Sequence, residues 1–580
     1  MKYTKIPFIL AILLQISTFT LAQYKWEDPL KQSFPTLHGQ AFQNELQETY
    51  TRLPQRVQEK VRKPIWDLSQ QSAGLSIVFY SNAPEIRVQY SVKGGFSMPH
   101  MPSTGVSGVD MYAIDPNGQS RWCAGKYTFG DTINFVFPGL TYDIPTDKGY
   151  EYHLYLPLYN SVTWMNIGVP ANAKLSFIPP SQEKPIVIYG TSIAQGACAS
   201  RPGMAWANIL ERNLQSPVIN FGFSGNGQLE PELFNLLSEI NAQLYIIDCM
   251  PNLPGERSKL IYDRTLAGVK ILRKYSQAPI LLVEHSGYTN EYSSQTSKIS
   301  YQVANIELHK AYNTLIDEGI ANLYYLTKEE LGLTMDAMVE GVHPSDLGMQ
   351  QYADSYLRKI HKILHRPSLK STTCKPCKQN RDSYDWNKRH EEVLQLHLKR
   401  PSDIILIGNS ITHYWSGEPT SNIQRGNDSW SKLFKNKHVS NLGFGWDKIE
   451  NVLWRIYHGE LDGFQAQTIF VNIGTNNLQS NTDEEMLEGM TLLIEAIKHR
   501  QPQAKLCIIG IYPRKGFVDR VKQYNIKLQQ ALEEKTVTFI DLNPYLTNKN
   551  GSLNSSLFSD GLHPNQEGYQ QIAKGLKKYL

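Results

Sequence analysis

Hydrophobic and polar positions change regime twice along the chain. From Gln23 to Pro180 apolar residues alternate with polar ones in short runs: "SIVFYS" at 76–81, "EIRVQYSV" at 85–92, then "TINFVF", "YEYHLYLPL" and "AKLSFIPP". Ile86, Val88, Tyr90 and Val92 share one face, the period-two pattern of a half-buried strand. Gly and Pro separate the runs, and no long helical period divides the later ones. Residues 23–180 are therefore expected to form a β-sandwich.

After Pro179-Pro180 the alternation stops. Short unbroken apolar runs at Ile186–Tyr189, Val218–Phe221, Leu244–Asp248, Ile280–Glu284 and Leu323–Leu326 are separated by helical stretches. Runs of this kind fit strands buried on both faces, as in a parallel sheet under helices. A polar, basic stretch, "HRPSLKSTTCKPCKQNRDSYDW", follows, and the series repeats at Ile404–Ile407, Val439–Leu442, Thr468–Asn472, Leu506–Ile509 and Thr538–Asp541. The fold class is thus α/β, with two five-stranded domains over 184–366 and 399–580 and a linker over 367–398. Four polar landmarks keep register between the two: Ser192 and Ser410 are 218 residues apart, Asn220 and Asn441 are 221, Asn252 and Asn476 are 224, and His343 and His563 are 220. Such agreement points to duplication.

Charge narrows the function. With 58 basic and 54 acidic residues spread without long blocks, the net +4 argues against a nucleic-acid partner. Residues 1–22 resemble a cleaved secretory signal: Lys2 and Lys5 precede an apolar run, and Thr20-Leu21-Ala22 offers small residues for cleavage. That run is interrupted by Gln15, Ser17 and Thr18 and is shorter than the roughly 20 residues of a membrane span. The expectation is a secreted or periplasmic protein with no membrane span once the signal is removed. Six cysteines are too few to form a disulfide framework, and the close pair Cys374 and Cys377 lacks the further ligands of a zinc site.

Every landmark lies at or just after the carboxyl end of a predicted strand, where open parallel sheets bind ligands. Ser410 follows "DIILI" and opens a helix, a position that also suits an N-cap. Asp560 stands three residues before His563 on one turn, able to supply an orienting carboxylate and a base to a serine that needs both. "NLGFGWD" and "NIGTNN" carry glycines and an Asn suited to an oxyanion hole, built from the Ser410 N–H, a backbone N–H near Trp446 and the Asn476 side chain.

The order of these blocks resembles the SGNH (GDSL-type) hydrolases. "GNSI", "NLGFGW", "GTNN" and "DGLHP" match the four blocks in the second domain, and "GTSI", "NFGFSGNG", "DCMPN" and "EGVHP" match them in the first. "SGVDMYAID" resembles a β-rich domain found ahead of such enzymes. The resemblance implies a three-layer αβα fold for each domain, no metal or organic cofactor, and ester cleavage through an acyl-enzyme. It assigns catalysis to Ser410, Asp560 and His563 and to Ser192, Glu340 and His343, with Trp446, Asn476, Gly225 and Asn252 at the oxyanion holes.

Both domains depart from the pattern. Thr191 and Asn409 replace the family's Asp, Trp446 stands where the first domain has Gly225, and Glu340 stands where Asp is expected. The extra methylene of Glu340 is expected to shift its imidazole and weaken the first site, leaving the second as the stronger catalyst. Trp415 and Arg201, close after the two serines, are candidates for stacking on a sugar ring and pairing with a sugar carboxylate. The layout resembles exported bacterial carbohydrate O-acetylesterases. That suggests O-acetylated sialic acid as substrate, then acetylated xylan or pectin. A glycan-binding protein with relict hydrolase domains, and an acyltransferase or lipid-directed esterase, are the alternatives.

Overall fold

The computed structural model describes residues 23–46, 48–115, 118–141, 148–365, 371–379, 383–533 and 536–580. The expected signal at 1–22 and part of the expected linker lie outside the described residues. Two five-stranded parallel sheets and one antiparallel sandwich form the frame.

The unbroken apolar runs become the parallel strands. In the first hydrolase unit the strands are Ile186–Gly190, Val218–Gly222, Leu244–Asp248, Ile280–Val283 and Leu323–Leu326. In the second they are Ile404–Gly408, Val439–Gly443, Thr468–Asn472, Lys505–Ile509 and Thr538–Ile540. Numbered within each unit, both sheets have the order 2-1-3-4-5, and every pairing is parallel. Separate apolar cores cover the two faces of each sheet, because side chains alternate across it and both faces carry helices. The first strand lies between the second and third, so the chain reverses direction across the sheet there and opens a crevice at the strand ends.

The sandwich packs two antiparallel sheets around Ile77, Phe79, Ile86, Val88, Tyr90 and Leu154. It is not the continuous block 23–180 expected from the sequence. Leu53, Val57 and Ile65 belong to the core of the first hydrolase unit, and Arg52 places its guanidinium on the carbonyls of Asn220 (3.1 Å) and Gly222 (2.7 Å). Between Gly39 and Gly74 the chain packs largely on the first hydrolase unit, although Tyr50 returns to the sandwich core. Both glycines are left-handed (φ +85° and +78°): a Cβ on Gly39 would collide with the Gly74 carbonyl, and one on Gly74 with Asn220.

The expected linker 367–398 also needs correction. Trp386–Lys399 is a helix of the second hydrolase unit, with Trp386 and Val393 buried in its core. Asp385 caps its N-terminus through the Lys388 N–H. Its Arg389 contacts the carbonyls of Gly443 (2.8 Å), Asn441 (3.0 Å) and Pro419 (2.9 Å), as Arg52 does in the first unit. Cys374 and Cys377 are free thiols.

Candidate active sites

Each nucleophile candidate begins a one-turn helix directly after the first strand of its sheet, Ser192–Gln195 and Ser410–His413. Neither serine is the N-cap. Thr191 Oγ1 accepts from the Ile193 N–H, and Asn409 Oδ1 accepts from the Ile411 N–H at 2.9 Å, so the residues replacing the family's Asp cap the helix. Both serine hydroxyls are thereby left to other partners: Ser410 Oγ pairs with His563 Nε2 at 2.9 Å, and Ser192 Oγ with His343 Nε2 at 2.8 Å.

The candidate bases sit on matching turns. His563 Nδ1 pairs with Asp560 Oδ2 at 2.6 Å, while Asp560 Oδ1 accepts from the His563 and Leu562 N–H groups at 2.7 and 2.9 Å. Burial acts against the Asp560 charge, but those N–H groups and the imidazole outweigh it and hold the carboxyl at about 2. Glu340 makes the same set of contacts: Oε1 pairs with His343 Nδ1, and Oε2 accepts from Val342 and His343 at 3.0 and 3.2 Å. Burial opposes its charge as well, and the His343 bond with its neighbours holds the carboxyl below the usual range. The expected displacement by the longer side chain does not appear, since the two serine–imidazole distances differ by only a tenth of an ångström. In each unit a hydroxyl, an imidazole and a carboxylate form one chain in which the ring can take the hydroxyl proton while the carboxylate stabilises the resulting cation.

The oxyanion candidates lie on a turn after the second strand. Asn226 N–H closes onto the Phe223 carbonyl at 2.9 Å, and Asp447 N–H onto that of Phe444 at 3.2 Å. Gly225 (φ +69°) and Trp446 (φ +68°) hold the same left-handed third position, where a type II turn calls for glycine. The Asn476 amide donates to the Asp447 carbonyl at 2.9 Å. The Asn252 amide lies 3.3 Å from the carbonyls of Phe223 and Gly227. Both asparagines are thus tied to their turns.

One pair of contributors was not anticipated. Gln195 Oε1 accepts from the Ser224 N–H at 3.0 Å, and His413 Nδ1 accepts from the Gly445 N–H at 3.1 Å. Each residue stands three positions after its serine and fixes the turn after the second strand against the helix that the serine opens. Burial, with Arg389 and Arg455 nearby, pushes His413 down to about 2, so its ring is neutral and able to accept.

The model of the GDSL-like lipase/acylhydrolase family matches residues 183–361, a second model of that description matches 406–571, and residues 24–175 match the N-terminus of SGNH hydrolase-type esterases. Platelet-activating factor acetylhydrolase IB subunit alpha2 of Homo sapiens is 30% identical over 201 residues, which cover 34% of this chain and 83% of that protein. The chain belongs to the GDSL-like lipase/acylhydrolase family. The Bos taurus alpha1 subunit is 24% identical over 200 residues, covering 34% of this chain and 82% of that protein. A crystal structure of a proposed GDSL-like lipase from Bacteroides ovatus ATCC 8483 superposes with a TM-score of 0.53 at 29% identity, covering 59% of this chain and 98% of that one. The protein is a tandem GDSL hydrolase acting on carboxylic esters.

Two expected substrate contacts of this GDSL hydrolase are structural instead. Trp415 is 3% exposed, stacks on Tyr569 and donates to Ser429 Oγ at 3.0 Å within a core. Arg201 is held by Asp110 Oδ2 (2.5 Å) and the Tyr112 hydroxyl (2.7 Å), both from the "SGVDMYAID" stretch, and thereby docks the sandwich onto the first hydrolase unit. Tyr414 does border the second site, its ring centroid 5.4 Å from that of His563, and Trp446, on the turn after the second strand, is 55% exposed.

Proposed function

We propose that this enzyme is an exported esterase that removes O-acetyl groups from carbohydrates through an acyl-enzyme, using two active sites. Ser410 and Ser192 are the nucleophiles, His563 and His343 the bases, and Asp560 and Glu340 the orienting carboxylates. Backbone N–H groups around Trp446 and Gly225, with Asn476 and Asn252, receive the oxyanion. The observation that carries this reading is the unbroken chain from Ser410 through His563 to Asp560, repeated from Ser192 through His343 to Glu340.

An acetyl group as the acyl transferred to serine is supported by the acetylhydrolase relatives. A carbohydrate as the alcohol part of the ester is supported by Trp446 and Tyr414, whose flat apolar faces suit the C–H face of a sugar ring. O-acetylated sialic acid is the first substrate to try, then acetylated xylan and pectin. Export is supported by the sequence pattern of residues 1–22, and no helix among the described residues is long and apolar enough to cross a membrane.

The test is acetate release from O-acetylated glycans by wild type, Ser192→Ala, Ser410→Ala and the double variant. Partial loss in each single variant and silence in the double is the expected result. Full activity in the double variant would overturn the serine mechanism. The relatives named for platelet-activating factor favour a second reading, an acetyl ester carried by a lipid. Faster release from an acetylated ether lipid than from any glycan would establish it.

A further inference from the structure

The two active sites differ in what flanks the base. In the second, Tyr414 lies beside His563. In the first, the residue four after the serine is Gly196, and the ring beside His343 is His100, with centroids 5.9 Å apart. His100 comes from the sandwich, at the tip of a hairpin closed by two hydrogen bonds between Met98 and Met101. Met101 is buried in the first hydrolase core, and Thr104 Oγ1 donates to the Ser200 carbonyl at 2.6 Å, so the hairpin is fixed against the loop after the nucleophile helix. That loop carries Cys198, buried, free and left-handed at φ +68°.

One ring nitrogen from each of His100 and His343 and the sulfur of Cys198 all lie within 4.8 Å of one another. Among the described residues this is the one group of three such ligands so arranged. We propose that His100, Cys198 and His343 bind a Zn²⁺ ion, or a similar borderline divalent metal, that switches off the first active site and leaves the second running. Two imidazoles and a thiolate are the donor set zinc takes. Bonds of about 2.0–2.3 Å set ligand atoms about 3.3–3.8 Å apart in a tetrahedron, so the site closes with a shift of about 1 Å, which exposed His100 supplies by rotation. Cys198 releases its proton to solvent on binding, and water completes the fourth position.

Inhibition follows from bonds already described. His343 Nε2 is engaged with Ser192 and Nδ1 with Glu340. Whichever nitrogen the metal takes, the proton relay loses one of its two links. The second site has no such arrangement: Ser416 stands six residues after Ser410, as Cys198 stands six after Ser192, and it donates to Gln424. The sandwich would thus be a regulatory partner of the first site as well as a packing surface.

The inhibitory consequence rests on Ser192 being a working nucleophile; binding does not, so the two are measured apart. Co²⁺ is first titrated into the full chain and its thiolate charge-transfer absorption followed. The expected result is a one-to-one band that Cys198→Ser abolishes and His100→Ala weakens by at least about tenfold in affinity, since losing even a residue that only orients a metal ligand costs about 10–100-fold. No band, or a band unchanged in His100→Ala, overturns the site. Zn²⁺ is then titrated against ester turnover. In the Ser410→Ala background, where only the first site works, turnover should fall and a chelator should restore it. In the Ser192→Ala background it should hold. Equal inhibition in both backgrounds, or inhibition that survives Cys198→Ser, overturns the switch. A silent Ser410→Ala enzyme that still shows the cobalt band refutes the two-site esterase reading and the switch, and leaves the metal site standing.

Discussion

Trp446 is a bulky residue where the backbone calls for glycine, at a cost of about 1–2 kcal/mol. Its N–H does not depend on the side chain, so any return for the strain comes from the exposed indole. Trp446→Gly should leave kcat on a small aryl acetate within about threefold while raising KM for an acetylated glycan by about tenfold, the loss of one stacking contact. Steady-state kinetics on both substrates check this, and an equal fall on both would remove Trp446 from substrate binding. His413 acts through the turn it holds. His413→Ala should lower second-site kcat by about 10- to 100-fold with little change in KM, and His413→Gln, which copies Gln195, should recover most of it. The Ser192→Ala background isolates the measurement. That Ser410, Asp560 and His563 would meet was legible in the sequence because each sits in a short stretch whose residue types suit one chemistry. Trp415 and Arg201 were misread because exposure is decided by segments distant in sequence: Tyr569 covers the first, and Asp110 binds the second. His413 and Gln195 carried no signal, since their role exists only once a turn about 30 residues away is brought against them.

At the scale of elements, the second strand of each sheet is an edge, and its carbonyls need a partner or a cover. An arginine from outside the βα series supplies one in each unit, its planar fork reaching two carbonyls of the edge and more beyond. No carboxylate neutralises Arg389 among these contacts, and burial pushes its guanidinium down to about 10. Arg389→Ala should cost at least about 3 kcal/mol, because three buried carbonyls lose their donors at about 1–3 kcal/mol each. Arg389→Lys should rescue little of it, as one ammonium lacks the fork. Denaturant unfolding reads both. The strands themselves were legible to within a residue or two, since a doubly buried strand must be apolar throughout. The helix Trp386–Lys399 was not. Its buried face contains Arg389, His390 and His397, which bind carbonyls and a carboxylate, so the apolar period that marks a packed helix is broken.

At the scale of the molecule, the sandwich and both hydrolase units meet around a cavity of about 920 Å³ lined by Glu151, Glu183, His390 and Trp454. His458 of the second unit donates to the Gln215 carbonyl of the first at 3.0 Å, and Asn387 donates to the Tyr80 hydroxyl of the sandwich at 2.9 Å. Burial alone would push His390 down, but Glu183 and Glu460 outweigh it and hold the imidazole up at about 9. A histidine raised in the folded state adds stability that is complete below its unfolded value of about 6.5 and lost as pH climbs through about 9. Melting temperature should therefore fall between those limits, and His390→Gln should flatten the slope there. A chain beginning at residue 183 would lack Arg52, Leu53, Val57 and Ile65, and should fail to give the cooperative unfolding of the full chain.

The glycine crossings at 39 and 74 bear on how firmly the parts are joined. The polypeptide passes between the sandwich and the first hydrolase unit several times, near Gly39, Gly74 and Pro180 among others, whereas the two hydrolase units are joined through a single stretch between their folds. A body held by one tether can swing; one held by several cannot without bending its own backbone. The sandwich and the first hydrolase unit should therefore travel as one piece, and breathing of this enzyme should open at the seam with the second.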